Sequence, residues 1–103
     1  MVAGQGCDTF GPCGPFIVAG LNLNDLQLTL RHNGEIKQQQ RTRDLIHNSA
    51  AIVSFASRHV TLMPGDLIFT GTPGETGAIK PGDVCEVELE GAGVLKNKVV
   101  AAP

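Results

Sequence analysis

The sequence contains no tryptophan and no tyrosine, and phenylalanine accounts for only four of its 103 residues. Large aromatic anchors for a core or an interface are therefore scarce. No stretch approaches the ~20 consecutive apolar residues of a membrane-spanning helix, so we expect no membrane partner. Residues 1–8 lack the basic and apolar regions of a secretory signal, and we expect none there.

Charged residues are also few, since they make up 17% of the chain against about 25% in an average globular domain. The eight Lys and Arg residues are scattered, with no two adjacent, and the formal net charge is -2. Binding to a phosphate backbone requires clustered basic residues, so we expect no nucleic-acid partner.

The three cysteines are an odd number without the spacing of a disulfide framework or a zinc site; they are Cys7, Cys13 and Cys85. No neighbouring base or helix start that would activate one of them as a nucleophile can be identified in the sequence. We interpret them as small buried residues of a protein in the reducing cytoplasm.

The length of 103 residues, 42% of them hydrophobic, suits one domain. Thirteen glycines and six prolines divide the chain into short segments. These segments read as five or six strands and one helix. We predict an α+β, β-rich fold with one main helix, in which the sheet forms a sandwich or a roll.

A β-hairpin is predicted near the middle of the chain. Apolar and polar residues alternate over residues 26–30, and a second strand is expected over 35–39. Asn33 and Gly34 stand between them, and both tolerate the positive φ angles of a type I′ turn.

Four further strands are predicted. Two lie in the C-terminal part of the chain, and two are indicated by short apolar runs. Residues 85–89 alternate apolar residues with glutamates, which predicts one buried and one charged face, and residues 94–100 form the closing strand. The apolar runs over 16–19 and 67–70 predict short buried strands.

The hydrophobic period changes to that of a helix between residues 48 and 59. Ile52, Phe55 and Ala56 fall on one helical face together with the residues that follow at 59 and 60. Asn48 or Ser49 is expected to cap the start by accepting a backbone N–H.

A glycine-rich loop is the first candidate binding site. Gly71, Thr72, Pro73 and Gly74 directly follow the apolar run over 67–70. Glycines let backbone N–H groups approach a ligand closely, and Thr72 adds a hydroxyl donor. A plain turn fits the same residues, so the binding loop and the turn both stay open as interpretations. A phosphate-binding P-loop is excluded, because no Gly-Lys-Ser/Thr follows at the required spacing.

Other chemistry-bearing residues have simpler interpretations. The glutamates at 86, 88 and 90 alternate with apolar residues, which favours a solvated face over a metal site. The three histidines have no catalytic partner nearby in the sequence, and we interpret them as surface or helix-end residues; they are His32, His47 and His59.

Several short motifs occur in a fixed order along the chain: GCDTFGP (6–12), GPFIV (14–18), NGE (33–35), DLI (44–46), TL (61–62), PGDLIFTGTPG (64–74), KPGD (80–83) and ELEG (88–91). Each motif alone is weak. Together, in this order and spacing, they make residues 4–100 resemble the C-terminal part of the fumarylacetoacetate hydrolase family.

The resemblance implies an enzyme acting on small 2-oxo or 1,3-dicarbonyl acids, such as an acylpyruvate hydrolase, an oxaloacetate decarboxylase or an isomerase of aromatic-compound catabolism. In that family a bound Mg²⁺ or Mn²⁺ chelates the oxo-acid and stabilises an enolate by Lewis-acid catalysis. The implied fold is the family's mixed β-sandwich roll, and the implied assembly is a homodimer.

Three positions carry over from the family's substrate site. Thr72 matches the threonine that hydrogen-bonds the carboxylate end of the substrate, and Gly71 lies beside it. Gln5 stands where the family has a lysine, and an amide donates a hydrogen bond without the charge.

The family's three metal-binding carboxylates, its catalytic histidine and its lid match nothing in residues 1–103. We therefore expect no catalytic or metal-binding residue in this segment, and interpret 1–103 as a partial catalytic domain, the C-terminal portion. The alternative is a non-catalytic module that pairs with another chain or binds a small carboxylic acid.

Overall fold

The structure, a computed structural model, describes residues 7–71 and 74–103. Within these ranges four strands form one antiparallel sheet; they are Gln27–His32 (β1), Glu35–Arg41 (β2), Val84–Leu89 (β3) and Gly93–Lys98 (β4). Their spatial order is β2-β1-β3-β4. One α-helix, Ser49–His59 (α1), follows a 3-10 turn at Thr42–Asp44. The prediction of a β-rich α+β fold with one main helix is confirmed.

The predicted hairpin is confirmed in β1 and β2. Asn33 has a φ of 52° and Gly34 a φ of 81°, the two positive angles that a type I′ turn requires. The pairing register shifts between Leu30 and Arg31, which is a local irregularity in an otherwise regular antiparallel ladder. The turn chemistry therefore favours the pairing of β1 with β2, and β1 also pairs with β3 to continue the sheet.

Along β1, β3 and β4, one face of the sheet carries a cluster of apolar side chains. Leu30 lies opposite Val87, and Val87 lies opposite Leu95. Leu28 lies opposite Leu89 in the same register. Directly opposed residues of antiparallel strands project from the same side, so these leucines and the valine form one surface.

The other face is charged, and its glutamates are paired across strands. Glu88 Oε2 lies 2.8 Å from Arg31 Nη1, and Glu86 Oε1 lies 2.9 Å from Lys96 Nζ. The hydrogen bond from Lys96 holds the pKa of Glu86 below its ordinary value. The alternating glutamates of β3 thus lie on a face of ion pairs, which agrees with the prediction that they form a solvated face rather than a metal site.

The helix begins where the capping chemistry predicts. Asn48 has an extended backbone, and its Oδ1 accepts a hydrogen bond from the Ala51 backbone N–H at 2.8 Å. The helix ends at His59, whose Nδ1 lies 2.9 Å from the Phe55 carbonyl oxygen. Both helix bounds therefore follow from local sequence.

We expect Asn48→Ala to lower the free energy of unfolding by about 1 kcal/mol, because it removes the side-chain acceptor of a helix N-cap. Urea denaturation followed by far-UV circular dichroism measures the loss. Asn48→Ser keeps a capping oxygen and is the control. Equal destabilisation by both variants would contradict a capping role.

The two strands predicted from apolar runs are wrong. Residues 16–19 and 67–70 form no strand, and Ile17 is 93% exposed and Phe69 70% exposed. A strand needs a neighbouring strand for its backbone hydrogen bonds, and none lies beside either run within the described residues. Cys7 and Cys13 are exposed, so the prediction that they are buried is wrong as well.

Two Pro-Gly-Asp turns share one local geometry. In each the glycine has a positive φ, 95° at Gly65 and 97° at Gly82, as a type II turn requires after proline. Asp66 Oδ2 accepts from the Met63 N–H at 2.7 Å, and Asp83 Oδ2 accepts from the Lys80 N–H at 2.9 Å. The turns differ in their surroundings, since Asp66 is exposed and Asp83 is 4% exposed.

Candidate functional site

Gly71 and residues 74–77 lie over the apolar face of the sheet. Gln38 on β2 donates a hydrogen bond from Nε2 to the Glu75 carbonyl oxygen at 2.6 Å. Two cavities open along this face, and Leu28 and Gly71 line both of them. The glycine at the start of the predicted binding loop is therefore positioned between the two.

The larger cavity has a volume of about 550 Å³, within the range of about 300–1,000 Å³ that small-molecule sites occupy. It is bounded by the end of β2, by the 3-10 turn and the segment that leads to α1, and by the chain on either side of residues 72–73. Its lining residues are Leu28, Gln40, Arg41, Thr42, Asp44, Leu45, Ile46, His47, Ile52, Thr70, Gly71 and Gly74.

Both apolar side chains and polar groups line this cavity. Four polar side chains in its lining make no hydrogen bond or ion pair with the described residues; they are Gln40, Asp44, His47 and Thr70. A cavity with an apolar lining and a few convergent polar groups is the usual form of a small-molecule site. Its unengaged donors and acceptors are available to a polar ligand.

Arg41 contributes the permanent positive charge of the lining, but neighbouring acids hold it. Its Nε lies 2.6 Å from Asp25 Oδ1, and its Nη2 lies 3.3 Å from Glu90 Oε2. The hydrogen bond between Arg41 and Asp25 lowers the pKa of Asp25 and raises that of Arg41. Most of this charge is therefore neutralised within the protein.

The smaller cavity has a volume of about 330 Å³ and lies between the same loop and the middle of the sheet. Leu30, Val87 and Gln38 form its sheet side, and Thr76 and Gly77 form its loop side. Gln38 also donates the hydrogen bond to Glu75 that attaches the loop to the sheet. The cavity lies between this loop and the apolar face.

The three site residues predicted from the resemblance have different outcomes. Gly71 lines both cavities, and Gly74 lines the larger one. Thr72 and Gln5 lie outside the described residues. The role of all three in substrate binding stays a prediction.

A His–Asp pair was missed by the sequence analysis. His32 Nε2 lies 2.7 Å from Asp83 Oδ2, although the two residues are 51 positions apart. Asn33 Nδ2 also donates to Asp83 Oδ1 at 2.9 Å. The interpretation of His32 as an isolated surface residue is wrong, because pairing of β1 with β3 brings the hairpin turn beside the second Pro-Gly-Asp turn.

Asp83 is held as a carboxylate by these contacts. Hydrogen bonds from the Asn33 side chain, the Lys80 backbone and His32 hold its pKa well below the ordinary value. The pair lies at the end of the sheet and lines neither cavity. We therefore assign it to the fold rather than to the candidate site.

The residues that the structure describes do not supply the ligand set of a metal ion. No group of three or more His, Cys, Asp or Glu side chains converges within 7–71 and 74–103. Asp44 and His47 are the two residues of such types in the larger cavity, and Mg²⁺ prefers several oxygen ligands. Nor do these ranges include a helix with the length and apolar character needed to cross a membrane.

Comparison with known proteins gives a consistent result. The family model described as fumarylacetoacetate (FAA) hydrolase C-terminal matches residues 1–100. The crystal structure of a 2-hydroxyhepta-2,4-diene-1,7-dioate isomerase from Mycobacterium marinum is 48% identical, with a TM-score of 0.89 over 91% of this chain and 37% of its own.

Two further relatives carry different activity names. A fumarylacetoacetate hydrolase from Exiguobacterium antarcticum is 35% identical, with a TM-score of 0.87 over 93% of this chain and 38% of its own. A mitochondrial oxaloacetate tautomerase of Bos taurus is 37% identical over 94% of this chain and 34% of its own length. The present chain thus spans just over a third of each of these three proteins.

Proposed function

The chain belongs to the fumarylacetoacetate hydrolase family, as its C-terminal part, and from that premise we propose that it is the acid-binding portion of an enzyme acting on small 2-oxo or 1,3-dicarbonyl acids. The reaction class is C–C hydrolysis, decarboxylation or isomerisation. The relatives named as isomerase, hydrolase and tautomerase support the isomerisation and hydrolysis in this range. The single observation that carries the proposal is the 550 Å³ cavity between Gly71, Gly74 and the unengaged polar side chains.

The role of this chain's own residues is to bind and orient the acid. Backbone N–H groups of the glycine loop and the Thr72 hydroxyl donate to the carboxylate end, and Gln5 adds an uncharged donor. The apolar floor at Leu28 and Ile52 excludes water from the reacting part of the ligand.

We propose that the Mg²⁺ or Mn²⁺ of the family is held by polypeptide beyond these 103 residues, because the resemblance places none of the family's three metal-binding carboxylates in this segment. When bound, that ion supplies Lewis-acid stabilisation of developing negative charge. We propose a cytoplasmic homodimer, in which residues 1–103 are part of a larger catalytic domain.

An oxalate titration tests the proposed site. Oxalate mimics the oxo-acid, and we expect it to raise the melting temperature, since a ligand at 100 times its Kd stabilises the native state by about 2.7 kcal/mol. Thr72→Ala should abolish the rise, and Thr61→Ala, an exposed threonine that lines neither cavity, should keep it.

The titration is run with and without Mg²⁺ to separate two sources of binding. A rise with oxalate alone supports an acid site within this chain, and a rise with Mg²⁺ alone would indicate a metal site in it. An unchanged oxalate response in Thr72→Ala would remove Thr72 from the site. No response of the wild-type chain to oxalate would favour the non-catalytic pairing module.

A further inference from the structure

The glycine loop (residues 71–74) is followed by residues 74–79, the loop segment, which one side chain attaches to the sheet. Gln38 Nε2 donates to the Glu75 carbonyl oxygen at 2.6 Å, across a separation of 37 residues. Among the residues that the structure describes, no other hydrogen bond or ion pair joins the loop segment to the rest of the chain. Between its covalent ends, the segment is therefore held over the sheet by the Gln38 amide.

Packing against the sheet does not hold the loop segment in place. A cavity of about 330 Å³ lies between them, with Thr76 and Gly77 on the loop side and Leu30 and Val87 on the sheet side. The segment is exposed along its length and contains no helix or strand. The hydrogen bond to Glu75 therefore bridges a gap that apolar contacts leave open.

The glycines at the two ends of the glycine loop do not fix its backbone. Gly71 has a φ of 104° and Gly74 a φ of 74°, and apart from the adjoining residues no atom lies within 4 Å of where a Cβ would stand at either position. Glycine adopts positive φ without steric cost and loses more conformational freedom on folding than any other residue. A restraint from elsewhere in the fold is therefore needed to hold one conformation at these positions.

Gln38 is well placed to provide this restraint because it belongs to the sheet. It pairs with Leu30 in the register of β1 with β2, and Leu30 pairs with Val87 of β3. Its half-buried side chain lines the same cavity as theirs. A group carried by a strand is held more precisely than one carried by a loop. The sheet thus provides the rigid base from which the amide restrains the loop segment.

We propose that Gln38 is a positioning residue, which holds the glycine loop in the conformation that binds the carboxylate end of the ligand. This inference rests on the proposed function, in which the glycine loop borders the acid site. Gln38 lines the smaller cavity and not the larger one, so it acts through the loop rather than by contact with a ligand in the larger cavity. Since a ligand binds only the molecules that hold the competent conformation, loss of the restraint lowers the apparent affinity.

Two neighbouring glutamines of β2 provide the test and its control. Gln38→Met keeps a side chain of similar length and removes the donor. Gln39 Nε2 donates to Thr29 Oγ1 at 3.2 Å, so Gln39→Met removes a side-chain hydrogen bond from the same strand without affecting the bond to Glu75. Gln38→Lys keeps an N–H donor of comparable reach and tests for rescue.

The order of the loop segment in the free chain is the first measurement. Nitrogen-15 relaxation gives the order parameter S² for the backbone amides of residues 74–77. We expect values close to the 0.85 or so of rigid backbone in the wild-type chain and in Gln39→Met, and below about 0.6 in Gln38→Met. Gln38→Lys should keep the segment ordered. Unchanged order in Gln38→Met would overturn the positioning role.

The affinity for oxalate is the second measurement, made by calorimetric titration at a temperature at which every variant is folded. The net contribution of one hydrogen bond corresponds to a change of about two- to tenfold in an equilibrium constant. We therefore expect Gln38→Met to weaken oxalate binding by about fivefold and Gln39→Met to leave it unchanged. A purely structural role of Gln38 would lower the melting temperature and leave the affinity of the folded chain as it was.

The outcomes separate this inference from the proposed function. Wild-type affinity in Gln38→Met would overturn the role of Gln38 in binding and leave the acid site of the proposed function in place. An equal loss of affinity in Gln39→Met would also overturn it, because the effect would then belong to β2 as a whole. Absence of oxalate binding by the wild-type chain would overturn both the acid site and the role of Gln38 that rests on it.

Discussion

Replacing Asp83 with alanine should lower the melting temperature of the chain by on the order of 10 °C, since it removes the buried acceptor that three part-buried hydrogen bonds share. Asp83 is 4% exposed. Its Oδ1 accepts from Asn33 at 2.9 Å, and its Oδ2 accepts from the Lys80 backbone at 2.9 Å and lies 2.7 Å from His32 Nε2. Differential scanning fluorimetry or calorimetry measures the change.

The first Pro-Gly-Asp turn provides a matched control within the same chain. Asp66 makes the same local hydrogen bond, to the Met63 N–H, but it is exposed and makes no long-range contact within the described residues. Asp66→Ala should therefore shift the melting temperature by only a few degrees. Similar shifts for the two variants would show that the contacts of Asp83 with the hairpin turn contribute little to stability.

The stabilisation from Asp83 should also depend on pH. Its pKa is held well below that of an unfolded aspartate, about 3.9, so the folded state favours the charged form. The contribution is fully present above the pKa of the unfolded chain and is lost as pH falls toward the pKa of the folded chain. Between about pH 5 and pH 2 the wild-type melting temperature should therefore fall more steeply than that of Asp83→Asn. Parallel curves for the two proteins would contradict this linkage.

The elements that sequence predicts correctly are those specified by local chemistry. Asn33 and Gly34 specify the hairpin by their backbone preferences, and Asn48 specifies the start of α1 by its side chain. Each of these residues acts on the backbone within a few positions of itself in the sequence. Alternation in β3 likewise predicts which side chains share a face, because the period of a strand is two.

The predictions that are wrong concern elements and residues whose partners lie far away in the sequence. The runs at 16–19 and 67–70 have the composition of buried strands, but composition does not specify a neighbouring strand. His32 has no partner within its own segment and acquires Asp83 through sheet pairing. That Gly71, Gly74 and His47 line one cavity also depends on the tertiary structure, and no spacing in the sequence indicates it.

The chain should associate in solution at micromolar concentration, because its surface is too large and too apolar for a compact monomer. Its accessible surface is 8208 Å², against about 5,500 Å² expected for a compact protein of 10.8 kDa. Its radius of gyration is 14.8 Å, against about 13 Å for a compact domain of this length. The excess surface exceeds the 1,200–2,000 Å² that a stable interface of standard size buries.

Light scattering coupled to size-exclusion chromatography measures the association. We expect a dimer or larger species, together with strong binding of an apolar fluorescent dye. Ile17→Glu and Phe69→Glu each place a charge on an exposed apolar run and should shift the equilibrium toward monomer. Ser54→Glu adds the same charge at an exposed polar position of α1 and should leave the assembly unchanged.

A monomeric elution profile without dye binding would contradict this expectation and would require the apolar runs to fold back on the sheet. Association that is reduced equally by all three variants would indicate a net-charge effect rather than a specific surface. Selective reduction by Ile17→Glu and Phe69→Glu would instead identify the unpaired extended runs as the surface that other polypeptide covers. Because Phe69 immediately precedes Thr70 at the larger cavity, such a covering chain would lie next to the proposed acid site.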